Sequence, residues 1–413
     1  MTKNTIASED GPLRDVAVVG AGPAGLAAAL ALAHVGADVV LIGPGPAKAD
    51  AGLGETRTAA LLASSVDLLK ALGVWQAVAP HAAPLKTIRT VDASQSLFRA
   101  PEIAFEAREL GLEAFGYNVA NTVLVEALYA RAGEVLDTIV PANLVRIAFE
   151  DRTALLYCDD GTEVTARLIA AADGRRSVCR EAAGIGMRVW RYDQAAIATS
   201  FRHARPHDGV STELHKEGGS LTTVPLPDPH ASSLIWVGAG IETTGLMQLG
   251  DTAFAAALTD RLGGALGRVS DIGARGAFPV EGLSADTLAQ KRTALVGEAA
   301  HILPPIGAQG LNLGLRDAAA LADCVADALN RGADPGGDET LAAYAGARLL
   351  DVLSRSVGVD LLNRSLLTEL VPVQAARGVI LHGLNALPFL RRAVMRIGLE
   401  PPTELPSLMR RAT

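Results

Sequence analysis

Gly20-Ala21-Gly22-Pro23-Ala24-Gly25 has the GxGxxG spacing that lets a backbone close around a pyrophosphate. In such a turn Gly20 permits the sharp reversal, Gly22 admits the phosphates, and Gly25 lets the following helix lie against the strand. Ala24 sits where the helix opens, and the free N–H groups there carry a partial positive charge toward the same phosphates. A bare GxGxxG is common. Here a β-branched run, Asp15 to Val19, precedes it, an Ala/Leu-rich helix, Ala24 to His34, follows it, and a second short strand comes at Asp38 to Ile42. That context makes it a dinucleotide-binding β–α–β unit. The second strand, however, ends in Gly43, where a carboxylate would hold the adenosine ribose; Glu55 is a candidate substitute, as are backbone groups and water.

Two more stretches could serve the same ligand. Ala172-Asp173-Gly174-Arg175-Arg176-Ser177-Val178-Cys179-Arg180 directly follows an apolar strand. Gly297-Glu298-Ala299-Ala300-His301 follows another and continues through Pro304, Pro305, Gly307, Gln309, Gly310, Leu311, Asn312 and Asp317 into a long helix. An acidic residue at a strand end can bind ligand hydroxyls. A glycine-rich loop entering a helix can present N–H groups to a developing negative charge.

The elements that must position these motifs alternate along the chain. Arg57 to Leu72 has helical periodicity, and Gly43 to Gly54 reads as a loop. Asn121 to Arg131 reads as a helix; Leu144–Phe149, Ala154–Cys158 and Glu163–Ala171 read as strands, with a hairpin turn at Asp159-Asp160-Gly161. Ala195 to Pro279 has the texture of a mostly antiparallel sheet with one helix near Thr252 to Leu262. The fold class is therefore α/β (α+β overall): a discontinuous Rossmann-type domain with an inserted, mostly antiparallel β domain and a helical C-terminus. The expected boundaries are 11–79, 116–190 and 280–365 for the dinucleotide domain, 80–115 and 191–279 for the substrate domain, and 366–413 for the C-terminal helices.

Composition bounds the function. The 413 residues are 49% hydrophobic and 20% charged, with a net charge of −8, which argues against a nucleic-acid surface. Cys158, Cys179 and Cys324 have no ligand spacing, which fits a reducing compartment, and His203, His207 and His215 form no recognised metal set. The polar first 14 residues lack a signal-peptide core, and no stretch of ~20 apolar residues occurs, so the expected location is the cytoplasm.

Together, in this order, the three motifs resemble those of the single-component FAD-dependent aromatic hydroxylases, the para-hydroxybenzoate hydroxylase fold group, and most closely the ubiquinone-biosynthesis hydroxylases. The likeness extends over nearly the whole chain. It includes Glu55-Thr56-Arg57, where the family has an acidic-x-Arg motif whose arginine lies near FAD, and Tyr117-Asn118-Val119-Ala120-Asn121, a tyrosine-led strand and an asparagine before a helix. Asp173-Gly174 matches the family motif linked to FAD and NADPH. Glu298 stands where the family usually has Asp. The resemblance implies that NADPH or NADH reduces FAD, that O2 adds to give a C4a-hydroperoxide, and that its distal oxygen passes to an aromatic ring of a small, in this branch polyprenylated, phenol. The chemistry is then the cofactor's, so no catalytic acid or base is expected; Pro304 and Pro305 shape the flavin-facing loop.

Alternatives stay open at several positions. His301 reads as structural or as a proton-transfer group, Gln309 and Asn312 as flavin-loop residues or helix caps, and Arg180 as an ion-pairing residue or a cofactor contact. Val379 to Ile397 places apolar residues at helical intervals with Arg391, Arg392 and Arg396 among them. That suits a helix on a membrane surface or one packed on the protein's own core. Peripheral membrane contact, a biosynthetic complex, a dimer, a soluble aromatic or polyketide substrate, and a non-catalytic scaffold all remain possible readings.

Overall fold

The computed structural model describes residues 12–46, 57–92, 102–216, 219–367, 382–384 and 386–411. Five parallel strands form its centre, in the order Thr293–Leu295, Glu163–Ala171, Arg14–Val19, Val39–Ile42, Thr138–Val140. The inner strands are Val, Ile, Leu and Ala runs, as a sheet covered on both faces requires. Helix Pro23–His34 packs on it and helix Gln309–Asn330 packs on that helix; their facing sides are mainly alanine and leucine, so they approach closely. All three glycine motifs leave the carboxyl ends of adjacent parallel strands. In an open α/β sheet that edge is where ligands bind.

Arg57 to Leu72 departs from the helical expectation. Thr58–Leu62 is a strand paired antiparallel to Gly116–Ala120, and only Ala63–Ala71 is helix. Buried partners decide the matter: Leu61 and Asn118 are both fully buried across this small sheet, and pairing outweighs the weak local preference for helix. Ala82–Pro84 completes the same three-stranded sheet. Gly240–Gln248 is a helix the sequence reading did not find.

The larger antiparallel sheet is built around Met187–His203, which pairs with Ala231–Ala239 on one side and Gly276–Ala285 on the other. These strands run through positions 190 and 279, where the sequence reading sets boundaries, so the two layers share continuous backbone. Alternation gives the sheet two unlike faces. Ile197, Phe201, Leu214, Leu221, Leu234 and Trp236 form one, packed against Phe254 and Leu258 of helix Asp251–Arg261. The other presents Ala196, Ala198, Ile235, Val237 and Phe278 toward the glycine motifs.

Phe254 is fully buried, with its ring centroid 6.0 Å from that of Trp236. Phe254→Ala is expected to cost about 3–5 kcal/mol of stability. Urea denaturation checks this; a loss under about 1 kcal/mol, the size of an ordinary substitution, would contradict the packing described.

Candidate functional site

The glycine turn forms as its spacing requires. Gly20 has φ +112, and a Cβ there would lie 2.2 Å from the Ala172 carbonyl oxygen; one on Gly25 would lie 1.9 Å from the Gly20 oxygen. Gly22 differs: a Cβ added to it meets nothing within 4 Å, so its face is open. Gly22 caps helix Pro23–His34 without a side-chain hydrogen bond, and no acidic residue lies in the first turn. The free N–H groups therefore point at open space with nothing of the chain's own to neutralise them.

That space is a groove. Its outer part, about 530 Å³, is lined by Gly20, Gly22, Gly43, Asn143, Asp173, Gly174 and Arg176, among others. Its inner part, about 430 Å³, is lined by Gly22, Ala24, Gly25, Arg57, Asn121, Gly174, Gly297, Glu298, His301, Gly310 and Leu311, among others. Gly22, Ala172 and Gly174 border both parts, so the three motifs enclose one continuous cleft. A third space of about 390 Å³ shares Arg57, Glu298, Ile302 and Leu303 with the inner part and reaches the sheet face at Ala198, Phe278 and Val280; Pro305 lines it.

Asp173 fits a ligand-binding role. Its Oδ2 accepts from the Cys179 N–H at 3.1 Å, while Oδ1 is buried without a partner, which costs free energy unless a ligand donates to it. Arg180 is placed otherwise. It is 4% exposed and donates to the carbonyls of Ala299 and Arg175, so it ties the second motif's loop to the third. Arg175 spans the rim, 2.8 Å from Glu281 and 3.8 Å from Glu298, whose side chain is 60% exposed.

The third motif is divided between lining and support. Helix Gln309–Asn330 starts after Ala308, a left-handed residue at φ +53, and has no side-chain cap and no acidic first turn. Asn312 is fully buried and fully occupied. Its oxygen accepts from Leu62 N–H and Ser65 Oγ, and its nitrogen donates to Ala60 and Ala308 carbonyls. It clasps the Thr58–Leu62 strand to the helix rather than lining the groove. Gln309 donates to the Gly307 carbonyl, and Pro304 is buried behind the loop. Neither borders the cavities described, nor does Gly307.

Glu55 and Thr56 lie outside the described residues. At Gly43 a Cβ would stand 2.7 Å from the Ala21 nitrogen, so the turn packs too tightly there for a carboxylate side chain without backbone movement. Arg176 and Asp173 are the charged side chains lining the outer part.

Beneath the loop lies a buried ion cluster that sequence reasoning missed. Asp317 accepts from Gly297 N–H at 3.0 Å, from His301 Nε2 at 2.6 Å and from Arg348 Nε at 2.8 Å. Arg348 reaches Asp351, which also meets Arg316 at 2.8 Å and Arg355 at 3.5 Å. Burial alone would push the Asp317 carboxyl up, but His301 and Arg348 outweigh it and hold it well below the usual range. Burial draws Arg316 down to about 10, which still leaves it charged at neutral pH. The available signal was charge inside an alanine-rich helix, Arg316-Asp317, together with Arg348, Asp351 and Arg355 at helical spacing.

His203, His207 and His230 lie close together, their rings 6.1–6.4 Å apart around His203, and hydrogen-bond mainly to backbone; His215 pairs with Glu213 instead. Among the described residues no group of three or more His, Cys, Asp or Glu could hold a metal ion, and no helix is long and apolar enough to cross a membrane.

Residues 14–352 match the family described as FAD binding domain. The chain is 34% identical over 398 residues to ubiquinone hydroxylase UbiL of Rhodospirillum rubrum, covering 94% of this chain and 91% of that one. It is 32% identical to 3-demethoxyubiquinol 3-hydroxylase of Escherichia coli, covering 93% and 98% respectively. A solved structure, p-nitrophenol 4-monooxygenase PnpA from Pseudomonas putida, superposes with a TM-score of 0.75 over 95% of this chain and 100% of that one at 18% identity, a likeness of fold.

Proposed function

This chain belongs to the FAD-dependent aromatic hydroxylases, within the ubiquinone-biosynthesis hydroxylase family, and from that premise we propose that it hydroxylates the ring of a polyprenylated phenol or benzoquinol precursor, using NADPH or NADH and O2. FAD, when bound, supplies the oxygen-activating chemistry. The chain's own residues do the rest. The open Gly20–Gly25 turn and its helix end receive the pyrophosphate, and the unpartnered Asp173 Oδ1 accepts from a cofactor hydroxyl. The uncapped helix end at Gln309 and Gly310 favours negative charge on the reduced cofactor. Ala198, Phe278, Val280, Ile302, Leu303 and Pro305 form the apolar side of a chamber where the ring would lie, and Arg57, Arg175, Glu281 and Glu298 line the rest of it.

The observation carrying this reading is that the cofactor groove opens onto that chamber, sharing Arg57, Glu298, Ile302 and Leu303 with it. A soluble substrate bearing a carboxylate is less well served. Arg175 at the rim already pairs with Glu281 and Glu298, so its charge is matched. A lipid-borne substrate is further supported by apolar side chains left exposed on two helices: Leu349, Leu353 and Leu361 on Asp338–Leu367, and Phe389 and Ile397 on Pro388–Leu399, beside exposed Arg392 and Arg396. The test is NADPH oxidation by the FAD-loaded protein in detergent with matched phenols. Prenylated phenols should accelerate it and yield hydroxylated product. Acceleration by short carboxylated phenols alone would overturn the substrate assignment.

A further inference from the structure

The four charged side chains at the polar end of the chamber divide by the spaces they border. Arg57 and Glu298 line both the chamber and the inner part of the cofactor groove, whereas Arg175 and Glu281 line the chamber and neither part of the groove. The Arg175–Glu281 pair therefore belongs to whatever occupies the chamber. Arg175 is 48% exposed at the rim, but the Glu281 side chain is only 15% exposed. A carboxylate so far withdrawn from water needs other donors in place of its hydration. It has one. Oε1 accepts from Arg175 at 2.8 Å, while Oε2 lies 3.8 Å from Arg191 Nε, too far for a hydrogen bond. Oε2 thus keeps its lone pairs for a donor that enters the chamber.

The backbone accounts for this placement. Successive residues of a regular strand face opposite ways, yet Val280 and Glu281 both border the chamber. Strand Gly276–Ala285 pairs with Met187–His203 in two registers, with Arg191 opposite Glu281 and Ala195 opposite Pro279. Residues 192–194 therefore bulge opposite Val280 alone, and such a bulge turns side chains out of strict alternation. Helix Asp338–Leu367 pins the bulge: Tyr192 donates to Asp360, and Asn363 donates to Gln194. The carboxylate is held on a fixed edge of a space whose wall is otherwise supplied largely by apolar residues such as Ala198, Phe278, Ile302 and Leu303.

An apolar wall with one spare acceptor matches an aromatic ring that carries a hydroxyl group. We propose that Glu281 orients the substrate: its Oε2 accepts the ring hydroxyl and so fixes which edge of the ring turns toward the cofactor groove. No proton leaves the hydroxyl; the hydrogen bond alone sets the orientation. A ring whose hydroxyl is blocked would strip water from the carboxylate and return no donor, so the chamber disfavours it. This rests on the reading of the chamber as the ring site, and names the group on the ring that the site recognises.

FAD-loaded protein in detergent is titrated with ortho-geranylphenol and with its methyl ether, binding being read from the change in the flavin absorption spectrum. Wild type should bind the phenol about tenfold more tightly than the ether, the worth of one hydrogen bond to a charged group. Glu281→Leu fills the same space without an acceptor. It should bind both probes alike, with ether affinity unchanged, and a smaller share of the NADPH it oxidises should end in hydroxylated product. Arg175→Gln leaves Oε2 in place and should keep the preference for the phenol. Equal binding of the two probes by wild type, or a preference that survives in Glu281→Leu, overturns the proposal. So does a Glu281→Leu protein whose only change is a raised KM for NADPH, since the pair would then serve the nicotinamide donor. Should Glu281→Leu not hold FAD, Glu281→Asp, whose carboxylate stands one methylene further back, takes its place and should weaken binding of the phenol alone. Wild-type protein that binds FAD but responds to neither probe removes the reading of the chamber, and the proposal with it. Failure to bind FAD at all removes the reading of the groove as well.

Discussion

Gly22→Val is expected to fold normally and yet bind FAD about 100-fold more weakly, a loss of about 2.7 kcal/mol. The effect is steric and local. A Cβ at Gly22 meets no protein atom within 4 Å, so the folded chain tolerates the side chain. Its φ of −78 is ordinary for any residue, so no backbone strain is added. The valine then occupies the space before the free N–H groups of helix Pro23–His34, where the pyrophosphate must come. Gly25→Val is the contrasting case, because its Cβ would overlap the Gly20 carbonyl oxygen at 1.9 Å. That variant should lose stability as well as cofactor. Fluorescence titration with FAD and thermal denaturation, run on both, separate the effects. A Gly22→Val protein that binds FAD as well as wild type would show that the phosphates lie elsewhere.

Arg348→Leu is expected to destabilise the fold by about 3–5 kcal/mol, the cost of leaving a buried carboxylate without its cation. Asp317 and Asp351 are 1% and 0% exposed, and both lose a partner. Because Asp317 also holds Gly297 N–H and His301, the flavin-side loop should loosen, and FAD affinity should fall with stability. The double variant Arg348→Leu/Asp317→Leu should lose less stability than the two single losses added, since neither charge is then stranded. Urea denaturation of the four proteins measures the coupling; additive losses would refute the network. The pH sign follows from the depressed Asp317 carboxyl. Its folded value lies below its unfolded value near 3.9, so its contribution is fully present above about pH 5 and is lost as pH falls toward the folded value. Wild-type stability at acid pH should therefore fall more steeply than that of Asp317→Asn.

The nucleotide end of the site was legible in sequence because it is local. A strand, a glycine turn and a helix within ~30 residues specify one another, and Gly20, Gly22 and Gly25 have the conformations and contacts their spacing implies. The parallel pairing of Arg14–Val19 with Val39–Ile42 followed for the same reason, since one helix joins the two strands. Long-range contacts were not legible. Thr58–Leu62 reads as helix in isolation and becomes a strand because Gly116–Ala120, more than fifty residues away, pairs with it. Asn312 carries a polar amide beside a flavin-type loop, yet four hydrogen bonds to the Ala60–Ser65 region and Ala308 occupy it. The ion cluster depends on two helices packing face to face, which no single helical pattern reveals. Glu298 and Gly43, the two departures from the family pattern, acquire a physical context only in three dimensions: a rim pairing with Arg175, and a turn too tight for a side chain.

The claim on which the rest depends is that the stretches at Gly20, Asp173 and Gly297 enclose one flavin. Equilibrium dialysis of the cofactor-stripped protein against FAD tests it most directly. Saturation at one FAD per chain is expected, with Gly22→Val unsaturated at the same FAD concentrations while remaining folded. A correctly folded wild-type chain that takes up no FAD, or one whose uptake Gly22→Val leaves unchanged, would contradict it.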